Sequence, residues 1–251
     1  MPRKLGQHLL IRKSILDRIA DAACAGGVPL VIEIGPGKGA LTEPLIERAQ
    51  KVVAIEVDPY FVHYLRQKFA EPIEQGRLIL IEGDVLKTDL SAWGPAVVAG
   101  NLPYYITSPI LERLFSLGDL WIRAVFLVQA EVAARIASEP GSRDFGFLSV
   151  QTQVFSRPEI LFPVSKTAFR PPPKVESAVV RLEPRAFPIA DRAAFLRFAG
   201  ACFRYKRKTL RNNLMEVYGK DRVDAIEGIG KRAEQLSVAE LADLYRKLGR
   251  D

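Results

Sequence analysis

The sequence is poor in the residues that build covalent or metal-held scaffolds. Its two cysteines, Cys24 and Cys202, stand far apart in 251 residues and form no CxxC or Cys/His ligand spacing. This excludes a disulfide framework and a structural zinc site, no other metal site is read in the chain, and a reducing cytoplasm is the compartment that fits. Histidine is as scarce: of the two present, His63 lies in Phe61-Val62-His63-Tyr64 on a predicted helix, where packing explains it better than catalysis. Long apolar runs are also missing. The stretch after Arg3 and Lys4 is broken by Gln7 and His8, so no secretory core is expected there, and no segment approaches membrane-spanning length. Internal repeats and low-complexity tracts are absent.

What is present is a chain that folds. With 48% hydrophobic residues disorder is excluded, and the length suits one large α/β domain with a small appendage. The charge is uneven. From Arg185 to Asp251 there are fifteen Lys/Arg against nine Asp/Glu, so nearly all of the net +7 lies in the last quarter of the chain. A basic appendage on a near-neutral body is the footprint of a polyanion-binding module, because each phosphate contact releases counterions; a solubilising surface is the alternative from charge alone.

Short β-branched runs alternate with amphipathic stretches through the first two thirds, which predicts a mostly parallel sheet covered on both faces. The expected strands are Leu30–Ile34, Val52–Glu56, Leu78–Glu82, Ala96–Gly100, Ala124–Val128, Val150–Phe155 and Ala178–Leu182. Between Phe155 and Ala178 the prolines, including Phe169-Arg170-Pro171-Pro172-Pro173, predict an extended loop. After Pro184 the pattern is helical only, with Phe195, Phe198, Ala199, Cys202 and Phe203 on one face and a last helix opened by the capping box Ser237-Val238-Ala239-Glu240. We therefore expect two domains, residues 1–184 and 185–251.

Three predicted strand ends carry chemistry. Glu33-Ile34-Gly35-Pro36-Gly37-Lys38-Gly39 leaves a buried strand and opens a helix. Its Gly35, Gly37 and Gly39 let a ligand approach the backbone, and the GxGxG spacing with an acid two residues upstream disfavours a diphosphate and suits a cationic sulfonium ligand with an amino group. Glu56 ends the next strand, where a carboxylate can accept both hydroxyls of a ribose; Asp84, after the third, can accept from an adenine amino group. Either acid alone could be a helix cap, but the three together describe an adenosine-shaped pocket.

Asn101-Leu102-Pro103-Tyr104 follows the fourth strand. An aryl amine is a poor nucleophile, so an enzyme that alkylates one must offer acceptors for positive charge developing on nitrogen. The Asn101 side-chain oxygen and the Leu102 carbonyl can do so, Pro103 fixes the chain direction, and the Tyr104 ring offers a face for a flipped-out adenine. The dense run Arg204-Tyr205-Lys206-Arg207-Lys208-Thr209-Leu210-Arg211, expected on a helix, supplies Arg204, Lys206, Arg207, Lys208 and Arg211 as candidate phosphate contacts on structured RNA, or a solvated helix end.

These motifs, over almost the whole chain, resemble the ribosomal RNA adenine dimethyltransferases, most closely the bacterial small-subunit, kasugamycin-resistance type. Leu5-Gly6-Gln7-His8-Leu9-Leu10 resembles that family's N-terminal cofactor segment, which adds Gln7, His8 and Leu10 to the cofactor contacts. Phe169 to Ser177 resembles its F-x-P-x-P-x-V-x-S segment, whose phenylalanine is expected on the other side of the target base. Arg207 to Leu214 resembles the helical-domain signature of the small-subunit branch. His8 departs from the asparagine that many members carry.

The resemblance implies a Rossmann-like class I methyltransferase with a seven-stranded, mostly parallel sheet and a small helical C-terminal domain. It implies S-adenosylmethionine as cofactor, contacted by Asn101 as well as the acids and glycines. It implies dimethylation of two adjacent adenosines in a hairpin near the 3′ end of 16S rRNA, on the immature 30S subunit. A cytoplasmic monomer without membrane association is expected. A macrolide-resistance-type 23S enzyme, a DNA adenine methyltransferase and an assembly factor with secondary catalysis are the rival readings.

Overall fold

The structure, a computed structural model, describes residues 8–248 apart from the Tyr104 side chain. Its strands are β1 (Leu9–Leu10), β2 (Leu30–Ile34), β3 (Lys51–Glu56), β4 (Leu78–Glu82), β5 (Ala96–Asn101), β6 (Trp121–Gln129), β7 (Ser156–Val164), β8 (Phe169–Arg170) and β9 (Ser177–Pro184). Seven of them form one sheet in the order β4-β3-β2-β5-β6-β9-β7, and β1 pairs with β8 separately. The run from β4 to β6 is parallel, and β9 is antiparallel to β6. β2, β3 and β5 read as continuous apolar runs because central parallel strands are covered on both faces; every residue of β2 is buried.

Connectivity decides where a ligand can go. The chain enters the sheet at β2, runs outward through β3 and β4, then returns to the other side of β2 as β5. Where the strand order reverses, the connections leave β2 and β5 on opposite faces and a crevice opens outside their carboxyl ends. Glu33 and Asn101 stand at those two strand ends, with Glu56 at the end of β3 and Asp84 just beyond β4.

Two expectations about the chain between Phe147 and Val164 are corrected. Val150–Phe155 is no strand: Phe147–Phe155 is a helix with Ser149, Val150, Gln151, Thr152 and Val154 buried. Its β-branched residues read as a strand, but burial on a helical face outweighs propensity. The Ser149 hydroxyl accepts from the Gly146 amide (3.1 Å) and donates to the Arg135 carbonyl, which anchors the helix start. The seventh strand is instead β7, inside the supposed proline-rich loop. β7 is the last strand of the order, and an edge position is where Pro158 and Pro163 cost no ladder bond.

The chain divides into two compact units: residues up to 133 with 159–184, and 134–158 with 185 onward. The expected 1–184 domain is thus corrected, since its segment 134–158 belongs with the helices. In that helical unit Phe145, Val150 and Val154 share a core with Phe195, Phe198, Leu214 and Leu241, and Phe195 meets Phe187 and Tyr245 at ring-centroid distances of 5.6 Å. The last helix is Val238–Leu248, opened by the expected capping box: the Glu240 amide donates to the Ser237 hydroxyl (3.1 Å) and the Ser237 amide to the Glu240 carboxylate (2.7 Å).

Candidate active site

At the carboxyl ends of β2 to β5 lies a cleft of about 500 Å³ lined by His8, Leu10, Glu33, Gly35, Gly37, Glu56, Asp84, Asn101, Leu102 and Pro103, among others. These are most of the residues singled out from sequence, drawn from five separate chain segments.

Glu33 is 1% exposed and accepts a 2.6 Å hydrogen bond from the Thr42 hydroxyl. Burial pushes its carboxyl up to about 8 against this hydrogen bond, and the nearby Glu56 adds to the rise. An anion there is held at a cost that a bound cation would repay. Glu56 is as deeply buried, but its carboxylate is well supplied with donors. One oxygen accepts from the Gly37 amide (2.9 Å), the other from the Val57 and Asp58 amides (both 2.9 Å). Glu56 therefore ties the glycine turn to the end of β3; of the roughly four acceptor positions on a carboxylate, these bonds take three and one is left for a hydroxyl. Asp84 accepts from the Leu86 amide (3.0 Å) while lining the cleft; it opens a turn and caps no helix.

The glycine turn has positive φ at Gly35, Gly37 and Gly39, of 65°, 56° and 73°. Gly39 stands apart from the other two. It is not among the cleft-lining residues, and a Cβ on it would sit 2.4 Å from the Phe69 ring and 2.8 Å from Leu65. The structure thus gives Gly39 a packing role against Phe69 and Leu65. Gly39→Ala combines that clash with a left-handed backbone, so an equilibrium urea titration should show a loss of about 2 kcal/mol or more.

Residues 8–11 form one wall. Leu10 pairs with Phe169 and Leu9 with Arg170, the Ile11 amide donates to the Ala168 carbonyl (2.9 Å), and His8 Nδ1 donates to the Pro171 carbonyl (2.8 Å). The last bond is what histidine does at this position: it ties the wall to the 169–171 segment. Phe169 in that pairing is 3% exposed, belongs to the hydrophobic core and is not among the residues that line the cleft. Gln7 and the Tyr104 ring lie outside the described residues.

Asn101 ends β5 and donates through Nδ2 to the His8 carbonyl (3.2 Å), so the amide is oriented and its oxygen turned away from that wall. Leu102 is 1% exposed; its amide donates to the Leu127 carbonyl (3.0 Å), which fixes the peptide before Pro103. Pro103 has φ −60° and ψ 129° and is followed by a short 3₁₀ turn, Tyr104–Ile106.

Sequence reasoning missed the apolar walls: Leu9, Ile11, Val57, Val85, Tyr105 and Ile106 also line the cleft. Val57 and Val85 directly follow Glu56 and Asp84, and an apolar residue one step beyond each strand-end acid was the available signal. In the helical unit the basic run is not helical. Residues 203–209 form the turn between helices Arg192–Cys202 and Leu210–Tyr218, closed by Asn213, whose Nδ2 donates to the Cys202 and Tyr205 carbonyls. Arg204 and Lys208 lie over the Tyr205 ring, and Lys206 donates to the Arg143 carbonyl (2.9 Å). Arg211 makes a two-point ion pair with Asp224, so its charge is already matched.

Residues 1–249 match the family described as ribosomal RNA adenine dimethylase. The chain belongs to the ribosomal RNA adenine dimethylase family. Ribosomal RNA small subunit methyltransferase A of Acidobacterium capsulatum is 43% identical over 260 residues, covering 98% of this chain and 90% of that one. The protein of the same name from Chlorobium chlorochromatii is 40% identical over 248 residues, covering 97% and 92%. Among solved structures, a dimethyladenosine transferase from Plasmodium falciparum superposes with a TM-score of 0.83 at 27% identity, covering 96% of this chain and 98% of that one. The 23S rRNA methyltransferase ErmE gives 0.75, also at 27% identity, over 96% and 100%. As a member of this dimethylase family the chain is an rRNA adenine methyltransferase that uses S-adenosylmethionine. The cleft fits that cofactor: one deeply buried acid sits beside the glycine turn, two more follow at successive strand ends, and apolar walls lie between them. No helix among the described residues is long and apolar enough to cross a membrane.

Proposed function

We propose that this enzyme dimethylates N6 of adenosines in the small-subunit 16S rRNA, in the cytoplasm, acting as a monomer on the immature 30S subunit. Relatives at about 40% identity carry the small-subunit name, whereas the 23S enzyme ErmE is 27% identical, which favours the small-subunit reading.

The observation that carries the mechanism is the oriented Asn101 amide beside the fixed Leu102-Pro103 peptide, in the same cleft as the three acids. In this reading Glu33 holds the cationic amino-acid end of the cofactor, Gly35 and Gly37 let it approach the turn, Glu56 takes a ribose hydroxyl, Asp84 takes the adenine amine, and His8 and Leu10 close the side. When bound, S-adenosylmethionine supplies a methyl group on a positively charged sulfur. The Asn101 oxygen and the Leu102 carbonyl accept the N6 hydrogens of the target adenine, aim its nitrogen lone pair along one line and stabilise the charge that grows on it. The Tyr104 ring stacks on the base. Once alkylated, the nitrogen is acidic enough to lose its proton to water, so no strong base is needed. Methylation of under-methylated 30S subunits, with the modified bases mapped, tests the reading; modification of 50S subunits instead would overturn the choice of substrate.

The turn 203–209 takes rRNA phosphates through Arg204, Lys206, Arg207 and Lys208. Replacing Lys206, Arg207 and Lys208 together by Ala should weaken rRNA binding and flatten its log–log salt dependence by about two to three charges, leaving cofactor affinity unchanged. Filter binding across a salt series checks this, and an unaltered slope would return these residues to a solubilising role.

A further inference from the structure

We infer that Tyr105 is a stacking platform for a nucleotide next to the target base in the substrate strand, a positioning residue distinct from the methyl-transfer machinery. The inference rests on the proposed function and extends it to how the strand is held.

Tyr105 lines the cleft yet is 68% exposed. A tyrosine with no packing role would ordinarily turn its ring onto neighbouring apolar surface; this one is held at the rim by a short 3₁₀ turn, Tyr104–Ile106. The turn is closed on itself and anchored at its entry. The Ile106 amide donates to the Pro103 carbonyl (3.1 Å), and on the other side the Leu102 amide is fixed to Leu127. The rim is apolar elsewhere too: Ile11 is 53% and Val57 55% exposed, and both line the same cleft. Large apolar side chains left in water at a cleft mouth mark a surface that a partner covers.

The chemistry of the substrate says what covers it. A base taken out of its stack leaves its neighbours with unpaired π-faces, and an exposed aromatic ring recovers that loss without reading sequence. Tyr105 follows the acceptor peptide Leu102-Pro103 by two residues, so a base stacked there belongs to the strand that delivers the target adenine. The buried Phe169 cannot take this part.

The test uses the full-length protein with S-adenosylhomocysteine and two RNA hairpins, carrying 2-aminopurine directly 5′ or directly 3′ of the target adenosine. Wild type should quench one of the two probes. Tyr105→Ala should abolish that quench and raise KM for the RNA by about tenfold, with the cofactor dissociation constant unmoved; Tyr105→Trp should restore both. Asn101→Ala should lower methylation by about 10²–10³-fold while keeping the quench. Overturning results are an unchanged quench in Tyr105→Ala, no quench of either probe by a wild-type protein that does methylate, or a fall in kcat at constant KM. Should wild type methylate no small-subunit RNA at all, the proposed function fails first and this inference with it.

Discussion

Asn101→Ala is expected to lower methyl transfer to under-methylated 30S subunits by about 10²–10³-fold, the range seen when one preorganised group facing developing charge is removed. Cofactor affinity should change little. The Asn101 side chain gives the His8 segment one hydrogen bond (3.2 Å), but that segment is also held by the β1–β8 pairing and by His8 on the Pro171 carbonyl. The cleft therefore keeps its wall when the amide is gone. Single-turnover kinetics with saturating donor separate chemistry from binding. A variant with wild-type single-turnover rate would remove Asn101 from the chemistry, and one that lost cofactor binding in proportion to rate would make it a wall anchor only.

Glu33→Gln should have opposite effects on the free protein and on its complex. The Glu33 carboxyl is raised from 4.5 to about 8 by burial. Below about 4.5 both the unfolded and the folded protein hold this proton, and the stability that goes with it is fully present. As pH rises the unfolded chain ionises first, so stability falls through the window up to about 8; above it the folded state ionises too and the loss levels off. Glutamine has no proton to lose. Relative to wild type, Glu33→Gln should gain stability progressively across this window, reaching a few kcal/mol, or roughly several degrees in Tm, at pH 8.5, with no gain at pH 4.

Cofactor binding runs the other way. A cation beside Glu33 favours the ionised form, so wild-type affinity should rise with pH up to about 8, with proton release visible by calorimetry in buffers of different ionisation enthalpy. Glu33→Gln should bind on the order of 10²-fold more weakly, without that pH dependence. Equal affinity of both proteins at pH 8 would show that Glu33 does not face the cationic end of the cofactor.

The parts of the fold legible in the sequence were those governed by local pattern. Strands such as Leu30–Ile34 and Val52–Glu56 are buried on both faces, and a parallel core strand announces itself as an uninterrupted apolar run. The acids at the strand ends and the Asn-Leu-Pro-Tyr motif were legible because spacing from those strands placed them. What escaped depends on distant partners. Phe169 is drawn into the core by pairing with Leu10, about 160 residues away in the chain, a fact no local window holds. The basic run looks helical from its residues alone, yet Asn213, eleven positions beyond Cys202, closes it into a turn. Val150–Phe155 reads as a strand until its neighbours in the helical unit are known, and β7 reads as a loop until its place at the sheet edge excuses its prolines.

That the helical unit takes in residues 134–158 as well as everything after 184 means the polypeptide passes between the units three times. The unit cannot be removed by a stop codon at Pro184 without stripping Phe145, Val150 and Val154 of the partners that keep them dry. A chimaera that exchanges helical units between relatives must accordingly be spliced at three joints, near 133, 158 and 184. A graft at 184 alone would set a borrowed tail against an interior segment shaped for its own sequence.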